Sequence, residues 1–383
     1  MLLDRLIKCF TSIRLTVALL VLGFVLVFWG TLAQVNLGLY QAQAEFFRSF
    51  FVFWQPKGSS LRIPVFPGGY LLGGLLLINL FAAHFRYYQT TKKKIGIILI
   101  HLGIVLLLGG QFLTDFLSSE SMMHIRAGSS ANYSESTSDY ELAVIDTTGK
   151  DVDKVVAIPA DTLAKHGEIK RPEFPFKIRV NTYYRNSALS EKPEAGYEEI
   201  KTTAGIGQGI WWRGRPHETV MNKRNTPSGI IELSTPQGSL GSVLVSGFLN
   251  RPQQVTVNDR TYQLALRPER YYKPFSLHLV EFRFDRYPGT EIPKNFSSRV
   301  RLQRPETGED RELLIYMNNP LRYGGETFYQ ADWDHEDEKG TILQVVRNPS
   351  WLTPYFACVL VGAGLVVQFV MGLVGFAAKR KVA

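Results

Sequence analysis

Four stretches of this chain, residues 15–34, 68–85, 95–114 and 351–378, are almost wholly apolar. A helix needs about 20 such residues to cross the hydrocarbon of a bilayer. Lipid offers no partner to backbone N–H and C=O groups, so a stretch of this length that crosses is helical. The spacing is uneven: three stretches fall within residues 1–117, a polar tract of residues 118–350 follows, and the fourth opens the segment 351–383. The expected fold class is an α-helical membrane bundle of four transmembrane helices (about 15–34, 68–85, 95–114 and the last) with a large, exported, mainly antiparallel β domain. The mean hydropathy of -0.03 averages over these two materials. The polar tract is large enough for a core of its own.

Orientation follows from the bases. Arg5, Lys8 and Arg14 precede the first stretch, Arg86 and Lys92, Lys93, Lys94 separate the second from the third, and Lys379, Arg380, Lys381 follow the fourth. The positive-inside rule assigns all three groups to the cytoplasm. Both termini are then cytoplasmic and residues 118–350 lie on the other side. With these flanking bases set aside, that tract has about as many acids as bases, which excludes a nucleic-acid face. The first stretch ends at Thr31-Leu32-Ala33-Gln34 and exceeds a usual signal core, so it reads as an uncleaved anchor. Cys9 and Cys358 leave residues 118–350 without cysteine, hence without a disulfide framework, a C-x-x-C pair or a C-x-x-C-H haem-attachment site. Thiol chemistry would belong to a partner. Between the first two stretches, Phe46, Phe47, Phe50, Phe51, Phe53 and Trp54 suggest a segment lying in the membrane interface.

Beyond Ser118 the apolar period becomes two. Phe176, Ile178 and Val180 alternate with bases, and Val280, Phe282 and Phe284 alternate with Glu281, Arg283 and Asp285, the pattern of half-buried strands. Residues 300–304 and 312–317 flank Pro305-Glu306-Thr307-Gly308-Glu309-Asp310, a hairpin with a glycine in its loop. Further strands are expected at 140–146, 230–234, 242–247, 261–267, 327–331 and 341–346, giving a sandwich or folded sheet. Residues 191–226, rich in glycine and charge, read as a long loop or insertion.

Chemistry-bearing constellations are few. Asp332-Trp333-Asp334-His335-Glu336-Asp337-Glu338 has two readings, a solvated acidic turn and a cation site. Trp211-Trp212-Arg213-Gly214-Arg215-Pro216-His217 has two as well, loop packing and a docking surface for a porphyrin or a partner. His124, His166, His217 and His278 lack metal-site spacing. The histidines of the apolar stretches differ. His101 stands in Ile95-Gly96-Ile97-Ile98-Leu99-Ile100-His101-Leu102-Gly103, with no other ionisable group beside it. An imidazole in hydrocarbon is costly and faces a bundle interior, a polar partner or a ligand. One reading is an interhelical hydrogen bond to Asn79, Gln34 or Gln111; the other is a haem or metal ligand. On the expected topology His101 lies about 9 Å from the cytoplasmic end of its helix. His84, beside Arg86, reads as an interfacial side chain, with ligation the lesser alternative. Gly103, Gly109 and Gly110, like Gly69, Gly73 and Gly74, allow close helix approach or room for a flat ligand.

Several segments then carry a family likeness. They are Gly30-Thr31-Leu32-Ala33-Gln34, Asn79-Leu80, His101-Leu102-Gly103 and Leu107-Leu108-Gly109 in the apolar stretches. In the polar tract they are Tyr287-Pro288-Gly289-Thr290, Asn295-Phe296-Ser297-Ser298, Met317-Asn318-Asn319-Pro320-Leu321, Gly324-Gly325-Glu326-Thr327-Phe328-Tyr329-Gln330 and Arg347-Asn348-Pro349. In order and placement the chain resembles the ResB/CcsB proteins of system II cytochrome c maturation over nearly its whole length. The resemblance implies a protein of the bacterial inner (cytoplasmic) membrane with its large domain on the periplasmic or outer side. It implies a ResC/CcsA-type haem-handling partner, transient haem b, and delivery to apocytochrome c for covalent attachment. A thioredoxin-like thiol reductant acts on the apocytochrome, and membrane lipid surrounds the helices. It also implies that His101, in the third span, is the haem-iron ligand, completed by a partner's histidine, and that this chain is an accessory subunit of a haem lyase. The Trp-rich haem motif belongs to the partner and is not equated with Trp211-Trp212. Two departures stand out: Ala33 replaces the usual proline, and the loop of residues 86–94 is short. Two rival readings are a haem-free membrane-anchored scaffold for another envelope complex, and an enzyme with its active site in residues 118–350.

Overall fold

A computed structural model of the chain describes residues 7–56, 61–87, 94–149, 152–218, 224–290, 293–334 and 339–382. It divides into two compact units, one built from Met1–Ser118 and Asn348–Ala383, the other from Ser119–Glu218 and Lys223–Arg347.

The first unit holds helices α1 (Ile13–Leu37), α2 (Gly69–Tyr87), α3 (Ile95–Leu117) and α4 (Thr353–Val382). Ser12 caps α1 by accepting from the Arg14 N–H, and Gly38, at φ 77°, closes it by donating to the Gln34 carbonyl. Among the described residues three helices are long and apolar enough to cross a membrane: Ile13–Leu37, Ile95–Leu117 and Thr353–Arg380. The fourth expected span is helical over Gly69–Tyr87, and its described apolar part is Gly69–Ala83. It starts within one residue of its expected position, directly after Ile63–Pro67, which is paired as a strand with Phe51–Trp54. The aromatic segment is therefore a short hairpin preceded by a helical turn, and Phe46 and Val52 pack with Leu19, Leu26 and Leu72 in one cluster.

Asn79 joins α2 to the start of α1. Its Oδ1 accepts from Thr16 Oγ1 at 2.6 Å, and its Nδ2 donates to the carbonyls of Phe10 at 2.7 Å and Ser12 at 3.3 Å. A buried amide in an apolar bundle holds its place through such complete pairing. On the other side of the unit α3 packs along α4 through Gly96, Gly103 and Gly110, a stripe repeating every seven residues. A Cβ on Gly103 would lie 2.8 Å from the Ala357 carbonyl oxygen, and one on Gly96 2.8 Å from that of Gly364. Only hydrogen at these positions permits this approach.

Asn348 fastens the end of α3 to the start of α4. Its Oδ1 accepts from the Ser350 N–H and Oγ, both at 2.9 Å, and its Nδ2 donates to Thr114 Oγ1 at 3.3 Å. Thr114 Oγ1 is also 2.8 Å from Ser350 Oγ. Asn348→Ala strands these groups, so detergent-solubilised protein is expected to lose about 1–2 kcal/mol. Thermal unfolding by near-ultraviolet circular dichroism checks this, and an unchanged midpoint would remove the clamp from the account.

In the second unit, ten strands among the described residues form one antiparallel sheet. Its main path uses β1 (Ser119–Ile125), β2 (Ser130–Asp146), β3 (Arg260–Arg286), β4 (Pro293–Arg304), β5 (Glu309–Tyr316), β6 (Leu321–Tyr323), β7 (Glu326–Trp333) and β8 (Thr341–Arg347). They lie in the order β5-β4-β3-β2-β1-β8-β7-β6. The two ends of this path meet, since the Tyr323 hydroxyl on β6 donates to Glu309 on β5 at 2.5 Å. A second, four-stranded sheet contains Lys177–Tyr184, Ser228–Thr235 and Gly238–Ser246.

The long strand β3 serves two cores. Tyr262, Leu264 and Leu266 pack with Ile178, Val180, Ile231, Leu233 and Val245 of the second sheet, as in a sandwich. Beyond the register shifts between Pro268 and Arg270 and between Tyr272 and Leu277, Phe275, Leu277 and Leu279 enter a core closed within the large sheet, with Met123, Val300, Leu302, Phe328 and Leu343. The expected strands are present, but several are longer, with 140–146 and 261–267 lying inside β2 and β3. Of the expected half-buried set, Phe282 and Phe284 are half-buried, but a register shift between Leu279 and Glu281 displaces Val280. This irregularity leaves Val280 exposed while Leu279 is buried.

Residues 191–226 also depart from the expected loop. Trp211–Gly214 pairs with Ser187–Ser190 and with Glu198–Glu199 in a three-stranded sheet. Trp212 is buried against Ile200 and Leu244. Aromatic burial outweighs the local glycine and charge that suggested a loop.

Candidate functional site

His101 lies on α3 and is half-buried. At about 100° per residue, Gly96, Gly103 and Gly110 sit roughly 140–180° around the helix from it. The face that carries His101 is thus opposite the one sealed by α4. Ile97, Ile104, Leu108 and Phe112 fall within about 60° of His101, and all four are exposed. The imidazole thus stands, half-buried, on an apolar helix face where Ile97, Ile104, Leu108 and Phe112 are exposed.

The sequence reading offered Asn79, Gln34 and Gln111 as partners for His101. The Asn79 side chain is committed to Thr16, Phe10 and Ser12. Gln111 Nε2 donates to Asp115 at 3.1 Å, and Asp115 is also paired with Arg48 at 3.2 Å. His84 is carried on α2, and its side chain lies outside the described residues. Of the glycines thought to leave room for a flat ligand, Gly103 and Gly110 are consumed by α4, and Gly69 is closed off by the Phe47 backbone. Gly73, Gly74 and Gly109 have nothing within 4 Å of where a Cβ would stand.

In the β unit most of the motif residues make turns. Tyr287-Pro288-Gly289-Thr290 closes with the Thr290 N–H donating to the Tyr287 carbonyl at 3.0 Å, Gly289 taking φ 76°. Asn318 takes φ 62° in the turn after β5, and Gly324 and Gly325, at 62° and 79°, form the two-residue turn between β6 and β7. The rest converge at one end of β4, β7 and β8. Ser298 Oγ is 2.6 Å from Gln330 Oε1 and 2.8 Å from Thr341 Oγ1, while Gln330 Nε2 donates to Thr341 Oγ1 at 2.9 Å and to the Asp332 carbonyl at 3.0 Å. Nearby Phe284, Phe296 and Trp333 stack with centroids 5.1, 4.8 and 5.0 Å apart. A cleft of about 460 Å³ beside Trp333 is bordered by His124, Arg126 and Asp334.

Among the described residues no three His, Cys, Asp or Glu side chains gather in a group that could hold a metal ion. His278 Nδ1 is 3.1 Å from Ser130 Oγ, and His166 occupies a turn at φ 49°. Residues 335–338 of the acidic run lie outside the described residues. Trp212 faces the Tyr184 ring at 4.8 Å and is buried, which supports packing over docking for that tryptophan.

Apolar membrane-length helices and a large antiparallel β unit together define a membrane-associated protein whose polar domain falls between α3 and α4 in the sequence. Residues 239–343 match the ResB-like family. Protein NrfI of Wolinella succinogenes is 28% identical over 299 residues, 76% of this chain and 29% of NrfI. The cytochrome c biogenesis protein CcsB of Prochlorococcus marinus is 32% identical over 127 residues, 33% of this chain and 26% of that protein, and CcsB of Synechococcus elongatus is 30% identical over 96 residues. Residues 239–343 are thus ResB-like, and NrfI and, over part of the chain, CcsB are homologues of this protein. It spans less than a third of the length of these relatives, at 29% and 26%.

Proposed function

We propose that the chain is a ResB-type component of a system II cytochrome c maturation complex, one that helps move haem b across the membrane and present it to apocytochrome c. The observation that carries the haem role is the partly exposed apolar helix face, turned away from α4, that bears the half-buried His101. A neutral imidazole can take an axial iron position, and apolar neighbours limit water around it. A face left open by α4 suits a site completed by another membrane protein, here a ResC/CcsA-type partner. The β domain, on the outer side in this reading, holds the apocytochrome near the haem while a thioredoxin-like reductant keeps its cysteines reduced. In this reading the chain is an accessory subunit, and covalent attachment belongs to the complex. The helix α2, Gly69–Tyr87, completes a fourth span.

The test is co-expression with a ResC/CcsA-type partner and an apocytochrome in cells lacking their own maturation system. Covalent haem on the cytochrome is expected. His101→Ala is expected to lower the haem absorbance of the mild-detergent complex by at least about tenfold, since even outer-shell changes at metal ligands reach that size, with the amount of folded complex unchanged. Equal haem in the variant rejects His101 as ligand. Absence of covalent product with every partner favours the haem-free scaffold.

A further inference from the structure

Arg347 is the residue of the Arg347-Asn348-Pro349 segment that the clamp at Asn348 leaves unexplained. Its side chain is exposed, and among the described residues it makes no hydrogen bond or ion pair. It borders a cleft of about 540 Å³ contained wholly within the β unit. That volume falls in the roughly 300–1,000 Å³ range of small-molecule sites.

Three cations line this cleft, Lys273, Arg304 and Arg347, against one carboxylate among its lining residues, Glu326. Lys273 is neutralised by Glu326 at 2.6 Å. Arg304 is held only loosely: its Nη2 is 3.5 Å from Glu306, whose side chain is largely exposed, and its buried Nε has no acceptor. The hydrogen bond with Tyr323, with Glu306 adding, holds the Arg304 guanidinium charged, above the usual arginine value. The cleft therefore keeps one guanidinium without an ion pair, that of Arg347, and a second, that of Arg304, whose one acidic partner is the largely exposed Glu306. Around them stand the exposed ring of Tyr272 and the hydroxyl of Ser119. Two further motif residues, Gly324 and Glu326, line the same cleft. Gly324 comes within contact of the Phe275 ring, where a Cβ would stand at 3.2 Å.

We propose that this cleft is an anion-binding site, taking a phosphate or carboxylate group between Arg304 and Arg347. Guanidinium forks match both groups with paired, charge-assisted hydrogen bonds. The buried and neutralised Lys273 sets the floor of the site. The ligand's source is either a soluble anion or the phosphate of a lipid headgroup.

The full-length chain in neutral maltoside micelles, at low salt so that screening is weak, is titrated calorimetrically with pyrophosphate and with citrate. In parallel, lipid retained by the protein from nanodiscs of phosphatidylcholine with phosphatidylglycerol is measured by native mass spectrometry. Saturable binding of at least one probe is expected, weakened about tenfold by Arg347→Gln and by Arg304→Gln, as loss of a charge-assisted pair requires. Arg301→Gln, which removes a guanidinium paired with Asp310 away from the cleft, leaves binding unchanged. Pyrophosphate or citrate binding identifies a soluble anion, and selective retention of phosphatidylglycerol identifies a headgroup. Arg347 is exposed, so Arg347→Gln tests the site even if Arg304→Gln fails to fold. No binding of any probe, or binding equal in Arg347→Gln and the parent chain, overturns the proposal.

Discussion

Gly103→Ala is expected to destabilise the detergent-solubilised chain, while Gly109→Ala, farther along the same helix, leaves it unchanged or makes it more stable. Taken alone, glycine to alanine in a helix gains up to about 1 kcal/mol, because the unfolded chain loses freedom. Gly109 has nothing within 4 Å of its missing Cβ, so that gain stands. At Gly103 the new carbon would stand 2.6 Å from Val361 Cγ2 and 2.8 Å from the Ala357 carbonyl oxygen. The valine methyl can turn aside, but the carbonyl belongs to the backbone of α4 and moves only if the helices separate. Overpacking of this kind costs about 1–3 kcal/mol, enough to reverse the sign. Thermal unfolding of the two variants side by side decides it. Shifts of the same sign and size would show that α3 and α4 are not closely packed through Gly103.

That stripe also marks where the sequence was hard to read. Gly103, Gly109 and Gly110 are neighbours along the chain and invite treatment as one group. On a helix, spacing of seven returns to nearly the same face, so Gly103 belongs with Gly96 and Gly110, while Gly109 points elsewhere. The membrane-length helices were legible because a continuous apolar run has one physical meaning in lipid. The hairpin just before α2, Phe51–Trp54 paired with Ile63–Pro67, was not, because it joins two short segments separated along the chain. In the β unit, alternation found the strands but missed the register shift after Leu279, which moves Val280 outward. Gly324-Gly325 and Asn318 stood out as motif residues, and their role is left-handed turn geometry rather than chemistry. His101 was conspicuous for its cost in hydrocarbon. That it lies opposite the glycine stripe required the α3–α4 packing. The basic cleft was invisible for the opposite reason: Lys273, Arg304 and Arg347 are far apart in the chain, and only the closure of β5 onto β6 and the adjacency of β8 and β1 bring them to one place.

The floor of that cleft leads to the second large effect. Lys273 and Glu326 have side chains only 5% and 15% exposed, with Nζ 2.6 Å from the carboxylate. A pair so far removed from water is held by mutual attraction against the desolvation of both charges, and the two terms nearly cancel. Removing one partner does not cancel. Glu326→Leu leaves the ammonium of Lys273 without its counter-charge, and is expected to cost about 3–5 kcal/mol of stability. Lys273→Met with Glu326→Leu replaces both charges by apolar groups of similar length, and is expected to recover most of that loss. The double variant therefore separates an uncompensated charge from a simple loss of packing. Chemical unfolding of the full chain in detergent, followed by the fluorescence of its tryptophans, measures both. A double variant as unstable as Glu326→Leu would mean that Glu326 acts through the geometry of the turn at Gly324-Gly325 and not through its charge. Recovery would show that Lys273 and Glu326 contribute little net stability as a pair. Their net neutrality would then leave Arg304 and Arg347 as the charges that define the cleft.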